Sequence, residues 1–197
     1  MVRIEAPELL AQGPLLLAVN SLMQAQPSLR IELRGSVRPV HLAAEEPDIV
    51  LRLVRPEQGN YRIRKLGQVN FGLYASAAYA ARVGLPKTVE DLRRHNVIGW
   101  TEDFRYLLMA RWLETLCPGL EPSLRLTSLT AQLTAVRHGM GWAVLPDFSA
   151  RAEGFLAAAV DAPALRPDLW LLTRSEVIAR AEVIACRDAI ISAIRAI

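Results

Sequence analysis

The fold class follows from one stretch, VRIEAPELLAQGPLLLAVNSLMQAQPSLRIEL, at residues 2–33. The spacing of its apolar residues predicts three elements: a short strand over 2–6, a helical pattern over 8–26 and an alternating, half-buried strand over 29–34. We expect a short helix at about 39–45 and a strand over 48–54 to follow. Strand, helix and strand therefore alternate, which is typical of a parallel α/β sheet with right-handed crossovers.

The helical pattern is interrupted by Gly13-Pro14. Proline is tolerated in the first turn of a helix, but in the interior it removes a backbone hydrogen bond. We therefore expect the regular helix to begin at Pro14 and to end at Pro27-Ser28.

A second α/β unit begins near Ser76, which is a candidate N-cap, and Gly139 is a candidate C-terminal stop. Thr88 with Asp91 three residues later forms a partial capping box. The apolar pattern predicts strands over 61–66, 69–75, 96–100, 123–127, 141–145, 155–160 and 169–173. It predicts helices over 76–82, 105–117, 128–138 and 176–196, the last capped by Ser175 with Ile184, Ile191 and Ile194 on its inner face.

The composition favours a globular protein and excludes several function classes. Among the 197 residues, 52% are hydrophobic and 22% are charged, a balance that excludes general disorder. The longest apolar runs are far shorter than the ~20 residues of a membrane span, and the first residues do not resemble a secretory signal. The net charge is only +3, and the densest basic clusters, Arg62/Arg64/Lys65 and Arg93/Arg94, form no concentrated face for nucleic acid.

The sequence offers little for metal, cofactor or redox chemistry. Its three histidines have no partner at metal-ligand spacing, and it contains neither GxGxxG nor GxxxxGK[ST]. We therefore expect no metal, no cofactor and no catalytic residues. Cys117 and Cys186 lie far apart without a CxxC context, which favours two reduced thiols in the cytoplasm, and a redox role stays open.

Small polar residues collect where predicted strands pass into helices. In an open α/β sheet, ligands bind at the carboxyl ends of the strands. Serine and threonine at a helix start are also ordinary caps, and capping requires no ligand. The candidate binding residues are Pro7, Glu8, Ser36, Val37, Trp100, Thr101, Thr127 and Ser128.

Five segments in this order resemble the effector-binding domain of LysR-type transcriptional regulators. The first is the opening stretch, residues 2–33, with its strand, helix ending in proline and alternating strand. The others are DIVLR (48–52), FGLYASAAYAARVGLPKTVEDLRRHNVIGW (71–100), AVRHGMGWAVLPDF (135–148) and LWLLT (169–173). The resemblance covers essentially the whole chain.

The resemblance implies two Rossmann-like lobes joined by two crossover strands, as in periplasmic solute-binding proteins, with an effector cleft between them. Lobe one would comprise 1–70 and 169–197, and lobe two would comprise 71–168. The resemblance also implies a homodimer or homotetramer, a small-molecule effector and no membrane. Promoter DNA would be bound only by an N-terminal winged helix-turn-helix, and we expect that domain to be absent from this chain, since the first predicted strand starts at Val2.

Two features depart from the family pattern. Glu8 stands in a loop that often offers Ser or Thr to the ligand, and it would repel an anionic effector or attract a cation. Glu45-Glu46-Pro47 stands where a glycine is common.

Two alternatives remain open at this stage. One is a transporter's solute-binding protein, which the missing signal peptide disfavours. The other is a small-metabolite enzyme on the same fold, such as a dehydratase, with Thr101, Glu102, Thr127 and Ser128 as its candidate polar cluster.

Overall fold

The computed structural model describes residues 1–37, 47–55 and 59–196. It divides into two compact units. Unit 1 comprises Met1–Val69 with Pro167–Ile197, and unit 2 comprises Asn70–Arg166. The helix expected at 39–45 lies outside the described residues.

The described residues form two five-stranded sheets with helices. The strands are β1 Val2–Pro7, β2 Ile31–Ser36, β3 Ile49–Arg52, β4 Tyr61–Gln68, β5 Phe71–Ala75, β6 Val97–Trp100, β7 Leu124–Leu126, β8 Trp142–Pro146, β9 Leu156–Ala157 and β10 Asp168–Arg174. The helices are α1 Glu8–Leu10, α2 Leu16–Ala25, α3 Ala77–Val83, α4 Leu108–Leu116, α5 Leu129–Arg137, α6 Asp147–Ala152 and α7 Ala181–Arg195. The predicted α/β class is confirmed.

The sheet of unit 1 has the strand order β2-β1-β3-β10-β4. β1 is parallel to both β2 and β3, as the alternation of strand and helix predicts. β10 runs antiparallel to β3 and β4 because it is the strand by which the chain returns from unit 2. The sheet is therefore mixed, where the sequence predicts a parallel one.

The predicted start of the first helix at Pro14 is wrong. The chain is helical from Glu8, and a π-helical turn at Ala11–Leu15 contains Pro14 and joins α1 to α2. Proline has no backbone N–H and cannot donate the i→i−4 hydrogen bond. The wider π-helical turn accommodates this missing bond without ending the helix. The helix therefore passes through Pro14, and its first turn lies directly after β1.

Asp48 ties three strands of unit 1 together. It is almost fully buried, and its carboxylate accepts hydrogen bonds from the Arg3 backbone N–H at 2.9 Å and from the Arg174 guanidinium at 2.7 Å. Arg3 lies in β1 and Arg174 ends β10. A buried carboxylate needs such partners, which explains an aspartate directly before the apolar strand β3.

The sheet of unit 2 has the order β7-β6-β8-β5-β9, with β6 parallel to β7 and β8. Ser76 caps α3 as predicted, since its Oγ accepts from the Tyr79 N–H. The capping box is confirmed as well: Asp91 accepts from the Thr88 N–H at 2.9 Å and donates its own N–H to Thr88 Oγ1 at 3.3 Å.

Tyr79 holds α3 against the sheet of unit 2. Its hydroxyl accepts from the Asn96 backbone N–H at 2.8 Å and lies 3.3 Å from His95 Nδ1. Its ring meets the buried Trp142 ring edge-on. A Cβ on Gly141 would lie 2.4 Å from the Asn96 carbonyl oxygen, so that position requires glycine. Contacts within unit 2 thus account for Tyr79 and Gly141, which lie in two of the segments that resemble the family.

Two helices differ from the sequence prediction. The sequence predicts no helix directly after the strand over 141–145, but the chain turns into α6 immediately after Pro146. α7 begins at Ala181 rather than at 176, because a 3-10 turn at Ser175–Val177 precedes it. Its buried residues are Val183, Cys186 and Ile190, whereas the predicted Ile184, Ile191 and Ile194 are only partly buried.

Candidate functional site

Four candidate residues lie together at the carboxyl ends of β1 and β2 in unit 1. Pro7 is paired with Ser36 in the parallel register, and Glu8 and Val37 follow directly in the chain. A Cβ on Gly35 would lie 3.3 Å from the Glu8 Cα, so glycine lets the end of β2 lie against the first turn of α1. The strand ends and the helix start are therefore within contact distance.

The other four candidates lie together at the carboxyl ends of β6 and β7 in unit 2. Trp100 is paired with Leu126, and the Thr101 N–H donates to the Leu126 carbonyl at 3.3 Å. Thr127 is exposed and Ser128 is partly buried at the start of α5. The structure thus brings each group of four candidates together within its own unit.

Two of these side chains carry buried polar atoms without a partner. Trp100 is 6% exposed, and its indole Nε1 makes no hydrogen bond among the described residues; the neighbouring Thr101 Oγ1 makes none there either. Burying a polar group without a partner costs free energy, and most buried groups are paired. The end of β6 therefore presents one unused donor and one unused hydroxyl.

Ser128 behaves differently from Thr101. Its Oγ accepts from the Ala131 backbone N–H at 3.0 Å, which is an ordinary N-cap bond. The hydroxyl still has a proton to donate and a second lone pair. Capping therefore accounts for Ser128 in the folded state, and it does not account for Thr101, whose side chain caps nothing.

Aromatic rings continue from the end of β6. Trp100 and Phe104 have ring centroids 5.6 Å apart, and Phe104 stacks on Tyr106 at 6.3 Å. Trp100 and Phe104 are buried, whereas Tyr106 is 43% exposed. This row gives the end of β6 an aromatic wall, which suits a planar or apolar part of a ligand.

Gln132 is a polar residue of this region that the sequence analysis missed. It lies one turn after Ser128, is fully buried, and donates from Nε2 to the Gly99 carbonyl at 3.3 Å. It therefore fixes α5 against β6. An amide among the apolar positions Leu129, Ala135 and Val136 of one helix face is the signal that could have identified it.

Glu5 is a second missed residue, two positions before Pro7. It is 6% exposed in the middle of the unit 1 sheet and is paired in register with Arg34. Burial raises the pKa of its carboxyl, and attraction to Arg52 and then to Arg34 opposes that rise. Burial thus makes the ionised form of the Glu5 carboxyl energetically unfavourable.

The cysteines are poorly suited to reaction. Cys117 and Cys186 are both buried, in different units. Burial, assisted by Glu182 and Asp48, raises the pKa of the Cys186 thiol to about 11. A thiol with so high a pKa is almost entirely protonated near neutral pH, and the protonated form is a poor nucleophile.

Metal sites and membrane-spanning helices are absent from the described residues. In the part of the chain that the structure describes, no three His, Cys, Asp or Glu side chains are grouped to hold a metal ion. Across the same ranges, every helix is too short or too polar to cross a bilayer.

Comparison with known proteins gives a family and a set of relatives. A family model described as the LysR substrate binding domain matches residues 1–195. The Mau operon transcriptional activator of Paracoccus denitrificans is 28% identical over 191 residues, which is 94% of this chain and 64% of that protein. The regulator CrgA of Neisseria meningitidis serogroup C (strain 8013) is 33% identical over 76 residues, 39% of this chain and 25% of that protein. The chain thus spans less than two thirds of these curated relatives.

Solved structures show the same fold. The CrgA regulatory domain from Neisseria meningitidis superposes with a TM-score of 0.82 at 20% identity and covers 97% of each chain. The full-length virulence activator AphB of Vibrio cholerae gives a TM-score of 0.73 at 23% identity, covering 97% of this chain and 67% of AphB. All of these relatives are transcriptional regulators.

Proposed function

The chain belongs to the LysR substrate-binding domain family, and on that premise we propose that it binds a small-molecule effector through the strand ends of both units. Unit 1 contributes Pro7, Glu8, Ser36 and Val37, and unit 2 contributes Trp100, Thr101, Thr127 and Ser128. In this assignment, the two units are the two lobes of the effector-binding domain. Effector binding shifts the equilibrium between arrangements of the full regulator and so changes its control of transcription.

The unpartnered buried hydroxyl of Thr101, beside the unpartnered Trp100 indole N–H, supports this proposal most strongly. The indole can only donate, while the hydroxyl can donate and accept. A ligand with an acceptor for Trp100 and a polar group for Thr101 would remove both desolvation costs. The flanking rings of Phe104 and Tyr106 would contact its apolar part.

A thermal-shift screen of small metabolites against the chain tests effector binding. A ligand at 100 times its dissociation constant adds about 2.7 kcal/mol of stability, which is easily measured. The screen should include carboxylates and amines, because Glu8 favours a cation. A complete screen without any stabilising compound would count against the proposal.

Two substitutions then test the site itself with the compound found. Thr101→Ala should weaken binding about 5-fold or more, as expected when a hydrogen bond to a ligand is lost, without lowering the melting temperature. Ser128→Ala should lower stability by about 1 kcal/mol through the lost cap. Ser123→Ala, at an exposed hydroxyl of unit 2, is the matched control. If Thr101→Ala binds as tightly as this control, the strand end of β6 is not the site.

The assembly we propose is a homodimer or homotetramer that uses α2. This helix, LLAVNSLMQA, carries no charged residue, has no buried residue, and exposes Leu16, Leu17 and Met23 at 53%, 71% and 43%. Adjacent exposed apolar side chains of this kind are typical of an interaction surface. A second copy of the chain would cover them.

The remaining parts of the proposal concern the whole regulator. We propose that promoter DNA is bound by a separate domain of the full-length protein, since the basic residues of this chain are scattered along its sequence. We further propose that the domain senses its ligand without converting it and acts in the cytoplasm, where a transcriptional regulator meets its DNA.

A further inference from the structure

A cavity of about 90 Å³ lies in unit 2, between β6, α4 and the chain that leads into β7. Its apolar floor includes Gly99, Leu113 and Pro122. A Cβ on Gly99 would lie 2.6 Å from Pro122 Cγ. Glycine therefore lets the chain at Pro122 lie directly against β6 beside the cavity.

The rim of the cavity carries three carboxylates and two guanidinium groups. The Arg105 guanidinium lies 3.1 Å from Glu102 and 3.0 Å from Glu114, so one cation is shared by two acids. Arg125 pairs with Glu121. The rim thus has a surplus of one negative charge, located at the Glu102–Arg105–Glu114 triad.

The excess negative charge at the rim and the apolar floor of the cavity together favour one class of ligand. At ~10–15 Å³ for each water, the cavity has room for roughly six to nine waters, which is enough space for an organic ion of about five heavy atoms. The apolar floor favours an alkyl group, and the surplus carboxylate charge favours an ammonium. Since the Glu114 and Arg105 side chains are more than half exposed, their ion pair is weak and can yield to a ligand.

We propose that this cavity is a second small-molecule site, for short alkylammonium ions, which adjoins the proposed effector residues at the end of β6 through Trp100. The alkyl chain lies on Leu113 and Pro122, and the ammonium is held by Glu114 at the rim. The cavity shares the segment from Trp100 to Arg105 with the end of β6, including the 3-10 turn at Glu102–Phe104. A bound cation would therefore change the free energy of the turn that follows Thr101, which is how two sites become coupled.

The test is a titration of the whole chain with n-butylammonium chloride, followed by backbone amide NMR shifts. 1-Butanol and sodium butyrate at equal ionic strength are the neutral and anionic controls. We expect saturable shifts confined to residues 99–125 with butylammonium, weaker binding of 1-butanol and none of butyrate. Shifts that do not saturate, or equal shifts with sodium chloride alone, would overturn the proposal.

Two matched variants test whether Glu114 supplies the carboxylate that holds the ammonium. Glu114→Gln removes the surplus carboxylate and should weaken butylammonium binding about fivefold, the upper range for an exposed ion pair. Glu90→Gln removes a carboxylate from another exposed ion pair of unit 2, with Arg93, and should leave binding unchanged. Equal affinities of the two variants would show that the ammonium is not held at the triad, and the site would be rejected.

Discussion

Tyr79→Phe is a single-atom test of how α3 is attached to unit 2. The substitution removes the hydroxyl that accepts from the Asn96 backbone N–H at 2.8 Å and lies 3.3 Å from His95 Nδ1, while the ring keeps its edge-on contact with Trp142. An unpaired buried amide costs about 1–3 kcal/mol. Because this hydrogen bond is only partly buried, we expect a loss of about 1–2 kcal/mol.

The assay is thermal and urea unfolding of the variant against the unsubstituted chain. For a protein of this length, each kcal/mol shifts the melting temperature by about 2–4 °C, so the expected decrease is about 2–8 °C. Tyr106→Phe is the control, because Tyr106 is 43% exposed and its hydroxyl has no hydrogen bond with any described residue. We expect less than about 0.5 kcal/mol there. Equal melting temperatures for the two variants would refute the role assigned to the Tyr79 hydroxyl.

Two further predictions concern charge and assembly. Burial raises the folded-state pKa of Glu5 above its ordinary value of 4.5. Just above that pH, the folded chain therefore binds more protons than the unfolded chain. The free energy of unfolding should consequently fall in that range as the pH rises. Urea unfolding at a series of pH values should show a smaller fall for Glu5→Gln, and identical pH profiles would contradict this. Leu17→Glu should shift the chain toward monomer in sedimentation at tens of micromolar, whereas the control Glu90→Gln should leave the oligomeric state unchanged. An oligomer that survives Leu17→Glu would mean that α2 is not the interface.

Local sequence patterns predict the structure correctly where a single residue determines the backbone conformation. Gly139 has φ +69° and ends α5 as the sequence predicts, and Ser76 and Thr88 cap the turns that follow them. Those positions depend on sterics or on a hydrogen bond within a few residues, so the sequence contains all that is needed. The α/β class follows in the same way from the alternation of strand and helix patterns.

Tertiary packing decided the elements that the sequence did not predict. α1 begins at Glu8 because Leu9, Leu10 and Leu15 are all buried, which keeps the chain helical through Pro14. The residues buried by α7 likewise depend on which of several equivalent apolar faces meets the sheet.

The candidate site shows the same division between local and tertiary information. Thr101 and Ser128 are indistinguishable in sequence, since each is a hydroxyl residue between a strand and a helix. Only the structure shows that Ser128 caps α5, while the Thr101 hydroxyl is buried without a partner. That difference depends on how the end of β6 packs, and no pattern along the chain carries it.

The position of β10 has a consequence for the order in which the chain can fold during synthesis. Unit 2 is one continuous segment, 70–166, whereas unit 1 needs both ends of the chain. β10 lies between β3 and β4, and Arg174 closes an ion pair with Asp48 across 126 residues. A ribosome therefore releases all of unit 2 before unit 1 can close its sheet. Until then the edges of β3 and β4 stay open, which makes the nascent first third of the chain the part most exposed to mispairing.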